Sequence, residues 1–203
     1  MGIGIEEIKR LKDLTGVGLT AAKKALEEVD GDFDKAVEAM RVKGISKADK
    51  KSEREAKAGL IEAYVHGDRI GVMVEVNCET DFVARTDDFK SFAHDIALHI
   101  AAAAPRYLSK GDVTEDDLKK EEELIRAELK EQGKPDDMIE KITQGKLNKF
   151  YEEVCLLSQA FVKNPDQTVE EYLKETIAKL GENMVIRQMS RIELGGQVNG
   201  TRN

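Results

Sequence analysis

The sequence predicts an α+β protein: a small three-helix module, a linker, and a core of a three-stranded antiparallel sheet packed with helices, from which a helical coiled-coil hairpin projects. Three observations predict it. Apolar residues recur at helical spacing over residues 5–40 and again from residue 89. Between them, Ile70, Val72, Val74 and Val76 alternate with Gly71, Met73 and Glu75, the period of a half-buried strand. Near the far end, Met184, Ile186, Ile192 and Leu194 also alternate with polar residues, giving a third strand.

The elements follow in order. Ile5, Ile8, Leu11 and Leu14 recur every three residues until Gly16 and Gly18 break the pattern in a tight turn. Leu19, Ala22, Ala25, Leu26 and Val29 share one side of a second helix. Asp32 is placed to cap a third, bearing Phe33, Ala36, Val37 and Met40, which Gly44 is expected to end. Residues 1–44 thus form a compact module resembling the ubiquitin-associated type, with Leu11 and Leu14 expected in its core and Val17 exposed beside two glycines. Residues 45–58 turn to Lys, Glu, Ser and Ala; interleaved Asp49, Glu53 and Glu55 favour a solvated basic linker over a contact with an acidic partner.

The core opens at residue 59 with a hairpin. Ile61, Ala63 and Val65 alternate on its first strand, and His66-Gly67-Asp68-Arg69 supplies the turn. Thr86, with Asp87 and Asp88 behind it, reads as the N-cap of a helix bearing Phe89, Phe92, Ala93, Ile96 and Ile100 and stopped by Pro105. Residues 59–112 are this first part of the core. Residues 113–145 form the hairpin insertion: Leu118, Ile125 and Leu129 make a narrow seam, Gly133-Lys134-Pro135-Asp136 reverses the chain, and Met138 and Ile142 face back. The rest of the core, 146–203, begins with an apolar helix through Leu147, Phe150, Tyr151, Val154 and Leu157. A loop at 161–165 follows, then a helix lined by Val169, Tyr172, Leu173, Ile177 and Leu180 and ended by Gly181.

Composition bounds the function. The 203 residues are 40% hydrophobic and 35% charged with a net charge of −8, which argues against broad binding of nucleic acid or an anionic membrane. Two cysteines, Cys78 and Cys155, rule out a multi-bridge disulfide framework and suit a reducing cytosol. No apolar run approaches a membrane span, and residues 1–8 are too polar for a signal peptide, so a cytoplasmic location is expected.

Chemistry of a catalytic kind finds little support. Cys78 with His94 or His99 is the one nucleophile–base pair on offer, and a thiol at a strand end is commonly buried and inert. The two histidines, five apart, do not share a helical face as an i,i+4 metal pair would. Thr15-Gly16-Val17-Gly18 lacks the rest of a phosphate-cradling loop. The expectation is a non-enzyme without cofactor or metal, and without direct nucleotide binding.

Asn77-Cys78-Glu79-Thr80-Asp81-Phe82-Val83-Ala84 joins strand to helix and carries a carboxylate and a benzyl ring side by side. On pattern alone Phe82 tucks under its own helix and Asp81 caps a turn, as most loop aromatics pack locally. This stretch, however, resembles the signature of elongation factor Ts, the guanine-nucleotide exchange factor of bacterial elongation factor Tu. Leu14-Thr15-Gly16-Val17-Gly18 with Lys23-Lys24-Ala25-Leu26 is similar to a second motif of that family, and Gly181-Glu182-Asn183-Met184-Val185-Ile186-Arg187 to a third, in the family's order and spacing.

The resemblance implies a partner, elongation factor Tu in its GDP-bound and nucleotide-free states, and a mechanism. Asp81 and Phe82 would enter its nucleotide-binding domain beside the magnesium site, with Thr80 and Val83 holding the turn. Leu14, Val17, Gly18 and Arg187 are the corresponding docking candidates. A single core copy is similar to the short form of the family, which acts as a homodimer. The chain departs from the family pattern at Ala21-Ala22, Ala160, Gln188 and Ser190; the last stands where some short members carry a cysteine, so no intersubunit disulfide is expected. The rival reading is an adaptor of the ubiquitin-associated type without exchange activity.

Overall fold

Three short helices lead the chain: α1 (Ile5–Thr15), α2 (Leu19–Glu28) and α3 (Phe33–Asp49). The computed structural model describes residues 3–15 and 17–196, so the expected break at Gly16 lies outside the described residues. The helices close around Ile8, Leu11, Ala22, Ala25, Leu26, Ala36 and Met40, and the Asp32 carboxylate caps α3 by accepting the Lys35 N–H at 3.1 Å. Two expectations exchange places here. Leu14 is exposed rather than core, and Val17 packs on the cluster rather than standing free.

Gly44 does not end α3, which continues to Asp49. A Cβ at Gly44 would stand 3.2 Å from the Ala178 Cβ, so the glycine serves a close helix crossing. The second half of α3 lies against helix α8 (Val169–Leu180), where Arg41 pairs with Glu171 at 3.1 Å and Glu175 at 2.8 Å, and Lys174 with Asp49 at 3.0 Å. The segment read as a solvated linker is docked as well. Ala48 and Ala56 are buried, Lys51 donates to the Gly181 carbonyl, and the Asn183 amide donates to the Arg54 carbonyl at 2.6 Å.

The sheet has the order β1–β2–β5, all antiparallel, from β1 (Ala58–His66), β2 (Ile70–Cys78) and β5 (Met184–Glu193). Gly67 and Asp68 both take positive φ, 54° and 58°, in the tight turn between β1 and β2. Helix α5 (Asp87–Ala103), capped by the Thr86 hydroxyl, lays Phe89, Phe92, Ile96 and Ile100 onto Val72, Val74 and Val76. Helix α8 adds Val169, Leu173 and Ile177 to the same core.

The register decides which apolar residues this core receives. Tyr64, Glu62 and Leu60 stand opposite Val72, Val74 and Val76, so they share the inner face. Ile61, Ala63 and Val65, expected to mark the buried side, point outward instead. On β5 the register shifts beside Glu75 and Val76: Glu75 pairs with Gln188 and Val76 with Ile186, leaving Arg187 as the extra residue. One added residue reverses the faces beyond it. Met184 and Ile186 are therefore buried, whereas Ile192 and Leu194, expected to continue their side, are exposed.

Away from the sheet, α6 (Glu115–Glu131) and α7 (Asp136–Val154) form an antiparallel hairpin closed by Ile125, Leu129, Ile139 and Leu147. Ile139 takes the seam position expected of Met138, which is exposed; Leu118 and Ile142 pack at its edge. The 161–165 loop is instead a small antiparallel ribbon, β3 (Ala160–Phe161) and β4 (Asn164–Thr168). Among the described residues no helix is long and apolar enough to cross a membrane.

Candidate partner-binding site

Strand β2 ends at Cys78, and two residues later the chain makes a single helical turn, α4 (Asp81–Ala84). Thr80 is its N-cap: extended backbone, with the hydroxyl oxygen accepting the Val83 N–H at 3.4 Å. The far end is held by Thr86, whose N–H and hydroxyl donate to the Val83 carbonyl at 3.0 and 2.7 Å. Ala84 is buried and Val83 packs against the main core.

Phe82 lies between these anchors with 79% of its surface in solvent. It does not tuck under α5, as local packing would have placed it. Asp81, beside it, is also exposed and pairs with Arg85 at 2.8 Å one turn on. Exposed pairs of this spacing contribute about 0.3–0.5 kcal/mol, so a competing cation or donor can redirect this carboxylate. A rigid turn thus presents one apolar and one anionic group to solvent.

Arg187 stands near the root of this turn. Its Nε donates to the Asn77 Oδ1 at 2.8 Å, and Asn77 in turn donates to the Ala58 carbonyl at 3.2 Å. Of the other docking candidates, Val17 packs on the three-helix cluster, whereas Leu14 is exposed on α1 and lines the cleft that faces α8. Gly18 caps α2 with ordinary dihedrals, φ −67° and ψ 152°, and a Cβ there would meet nothing within 4 Å. The fold itself makes no demand for glycine at that position.

Glu79 and Glu182 complete the surroundings of the turn, and sequence reasoning singled out neither. Glu182 accepts the Thr80 N–H at 3.0 Å and the Thr80 hydroxyl at 2.6 Å; Glu79 accepts the Asn183 N–H at 2.6 Å. The signal was present in Gly181-Glu182-Asn183, but 102 positions separate Glu182 from its partner.

The Cys78–histidine pair set aside in the sequence is not assembled as a nucleophile and base in the fold either. Cys78 is fully buried and its thiol donates to the Thr80 carbonyl at 3.1 Å; burial and then the Glu182 charge push it above the ordinary thiol range. His94 meets Glu62 at 2.9 Å. His99 is buried, accepting the Val162 N–H on Nδ1 at 3.2 Å and facing the Gln159 Oε1 with Nε2 at 2.9 Å. Burial holds it below the usual imidazole range, as a neutral connector.

Comparison with known proteins decides the family. The family model described as elongation factor TS matches residues 5–179. The chain belongs to the elongation factor Ts family. It is 54% identical to the elongation factor Ts of Carboxydothermus hydrogenoformans over 93% of this chain and 87% of that protein. It is 53% identical to that of Desulfitobacterium hafniense over 93% and 88%. With that of Caldanaerobacter subterraneus identity is 50% over 95% and 97%. The resemblance of its three motifs to elongation factor Ts therefore extends across the chain.

Proposed function

We propose that this chain releases GDP from elongation factor Tu by placing Asp81 and Phe82 beside the partner's magnesium and nucleotide site. Guanine-nucleotide exchange on elongation factor Tu is the role of the family to which it belongs. The observation that carries the mechanism is the exposure of Phe82 on a turn pinned at both ends. An unsupported loop would lose much of the binding free energy in becoming ordered; this one is ordered before the partner arrives.

Nucleotide and exchange factor weaken each other's binding by the same factor. A thousandfold faster release requires about 4 kcal/mol off the barrier. One phenyl ring contributes about 1.5–3 kcal/mol on burial, so the ring alone is insufficient. The remainder is assigned to Asp81 disturbing the magnesium ion that neutralises the phosphates, and to distributed contacts. In the same reading the three-helix cluster is a ubiquitin-associated-type module that docks through Leu14, Val17 and Gly18, with Arg187 contributing from the core. The α6–α7 hairpin is read as a coiled coil. The chain itself binds no nucleotide, and the work is done in the cytoplasm.

The test follows release of a fluorescent GDP from loaded elongation factor Tu. The wild-type chain should accelerate it, whereas an adaptor without exchange activity would leave the spontaneous rate. Asp81→Ala should slow the stimulated release, and the deficit should shrink once magnesium is chelated, because the ion on which Asp81 acts is then gone. A deficit of the same size with and without chelator would remove magnesium from the mechanism.

The homodimer belongs to this proposal, with the sheet's outer face as the contact. Ile61, Val65, Met73 and Ile192 all project from it and are 61%, 64%, 54% and 72% exposed. Gly71 and Ser190 lie opposite Val65 and Met73 on the same face. Two such faces pack as an aligned sandwich about a twofold axis, each covering the other. Sedimentation under reducing conditions should give about twice 22.6 kDa, and Met73→Glu, which sets a charge in mid-face, should give the monomer. A wild-type monomer at micromolar concentration would exclude the dimer.

A further inference from the structure

We propose that Glu182 is a positioning residue for the Thr80–Val83 turn, acting with Glu79 as a reciprocal clasp; the inference rests on Asp81 and Phe82 being the inserted pair. Strands β2 and β5 pair down to Cys78 and Met184, where the ladder ends. The next two opposing positions would be Glu79 with Asn183 and Thr80 with Glu182. Side chains replace the missing backbone rungs there. The Glu79 carboxylate accepts the Asn183 N–H at 2.6 Å, and the Glu182 carboxylate accepts the Thr80 N–H at 3.0 Å. Each strand's carboxylate serves the other strand's backbone.

The second oxygen of Glu182 does more than extend the sheet. It accepts the hydrogen bond of the Thr80 hydroxyl at 2.6 Å, so the hydroxyl oxygen is left to accept from the Val83 N–H and cap α4. Hydrogen bonds to an ionised acceptor are roughly twice as strong as neutral ones. Glu79 is balanced by Arg54 at 3.4 Å, and Asn183 is fixed by its bond to the Arg54 carbonyl, which keeps two carboxylates tolerable at one strand end. Phe82 is too exposed to set its own direction by packing. Val83 and Ala84 fix the far end of its turn, and Glu182, through Thr80, fixes the near end.

Removing Glu182 should therefore misdirect the inserted pair without weakening docking elsewhere. The experiment measures GDP release from elongation factor Tu against concentration of the full chain, for Glu182→Ala, Phe82→Ala and the double variant, beside thermal denaturation of each. Glu182→Ala should lower the maximal release rate about tenfold to a hundredfold, the scale of a small misplacement, while the half-saturating concentration changes less than about threefold. In the Phe82→Ala background its effect should be much smaller, since only Asp81 is then left to aim. Glu182→Gln, which keeps the bulk and one acceptor, should fall between Glu182→Ala and wild type, and it reads the same way should the alanine variant not fold. An unchanged maximal rate, or an equal slowing with and without Phe82, overturns the positioning role. Wild-type exchange by Phe82→Ala alone would overturn the inserted-pair reading itself, and the positioning role with it.

Discussion

Phe82→Ala should leave the thermal midpoint of the free protein within about a degree of wild type and slow GDP release from elongation factor Tu about tenfold to a hundredfold. The first half follows from exposure. With 79% of its surface already in water, Phe82 gives the free chain little hydrophobic stabilisation to lose. The same substitution at Phe89 or Phe92, both buried beneath the sheet, should cost about 3–5 kcal/mol. The second half follows from burying the ring in the partner, about 1.5–3 kcal/mol, with each 1.36 kcal/mol worth about a factor of ten in rate. Stopped-flow release of a fluorescent GDP and a melting curve check both. A folded variant exchanging at the wild-type rate would end the account of Phe82 as the inserted ring.

The largest effect on stability is expected at Gly59. Its φ is +146°, a region nearly closed to other residues, and a Cβ there would overlap the Val76 carbonyl oxygen and stand 2.7 Å from the Asn77 Cα. Both obstacles are backbone, so the strand itself must move. Asn77, the residue paired with Gly59, is the hub that joins Ala58 to Arg187. Gly59→Ala should therefore destabilise by at least about 3 kcal/mol and lower the midpoint by about 6–12 °C. Gly145→Ala is the counterpart: a glycine inside α7 with open space around it, where alanine should stabilise by about 0.5–1 kcal/mol. Equal midpoints for the two variants would contradict the geometry at Gly59.

Much of the fold was legible because it is written locally. Thr86 and Asp32 cap helices within reach of their own side chains, and the apolar positions of α5 and α8 recur at one period. What escaped depends on neighbours. Strand β1 is apolar on both sides, and only pairing with Val72, Val74 and Val76 selects Leu60 and Tyr64 for the core over Ile61 and Val65. The extra residue at Arg187 has no signature of its own, yet it turns Ile192 outward. Gly44 reads as a stop until Ala178 is seen against it. The candidate site divides in the same way. Thr80, Asp81, Phe82 and Val83 are contiguous and were visible as a group, helped by a family likeness that outweighed the expectation of local packing. Glu182 reaches them only through the closing of the sheet.

Helix α3 has a consequence for how reach is set in this protein. It runs unbroken for 17 residues, about 25 Å, with Ala36 and Met40 seated in the three-helix cluster and Ala48 in the main core. The angle between the two bodies is therefore a matter of helical phase. Each residue inserted between Met40 and Ala48 would swing the leading module about 100° around the shaft, and only insertions near a whole turn would restore its bearing, displaced by about 5.4 Å. A tether would absorb such changes as slack. Here the separation between the leading module and the sheet can change, with its bearing kept, only in steps of a turn.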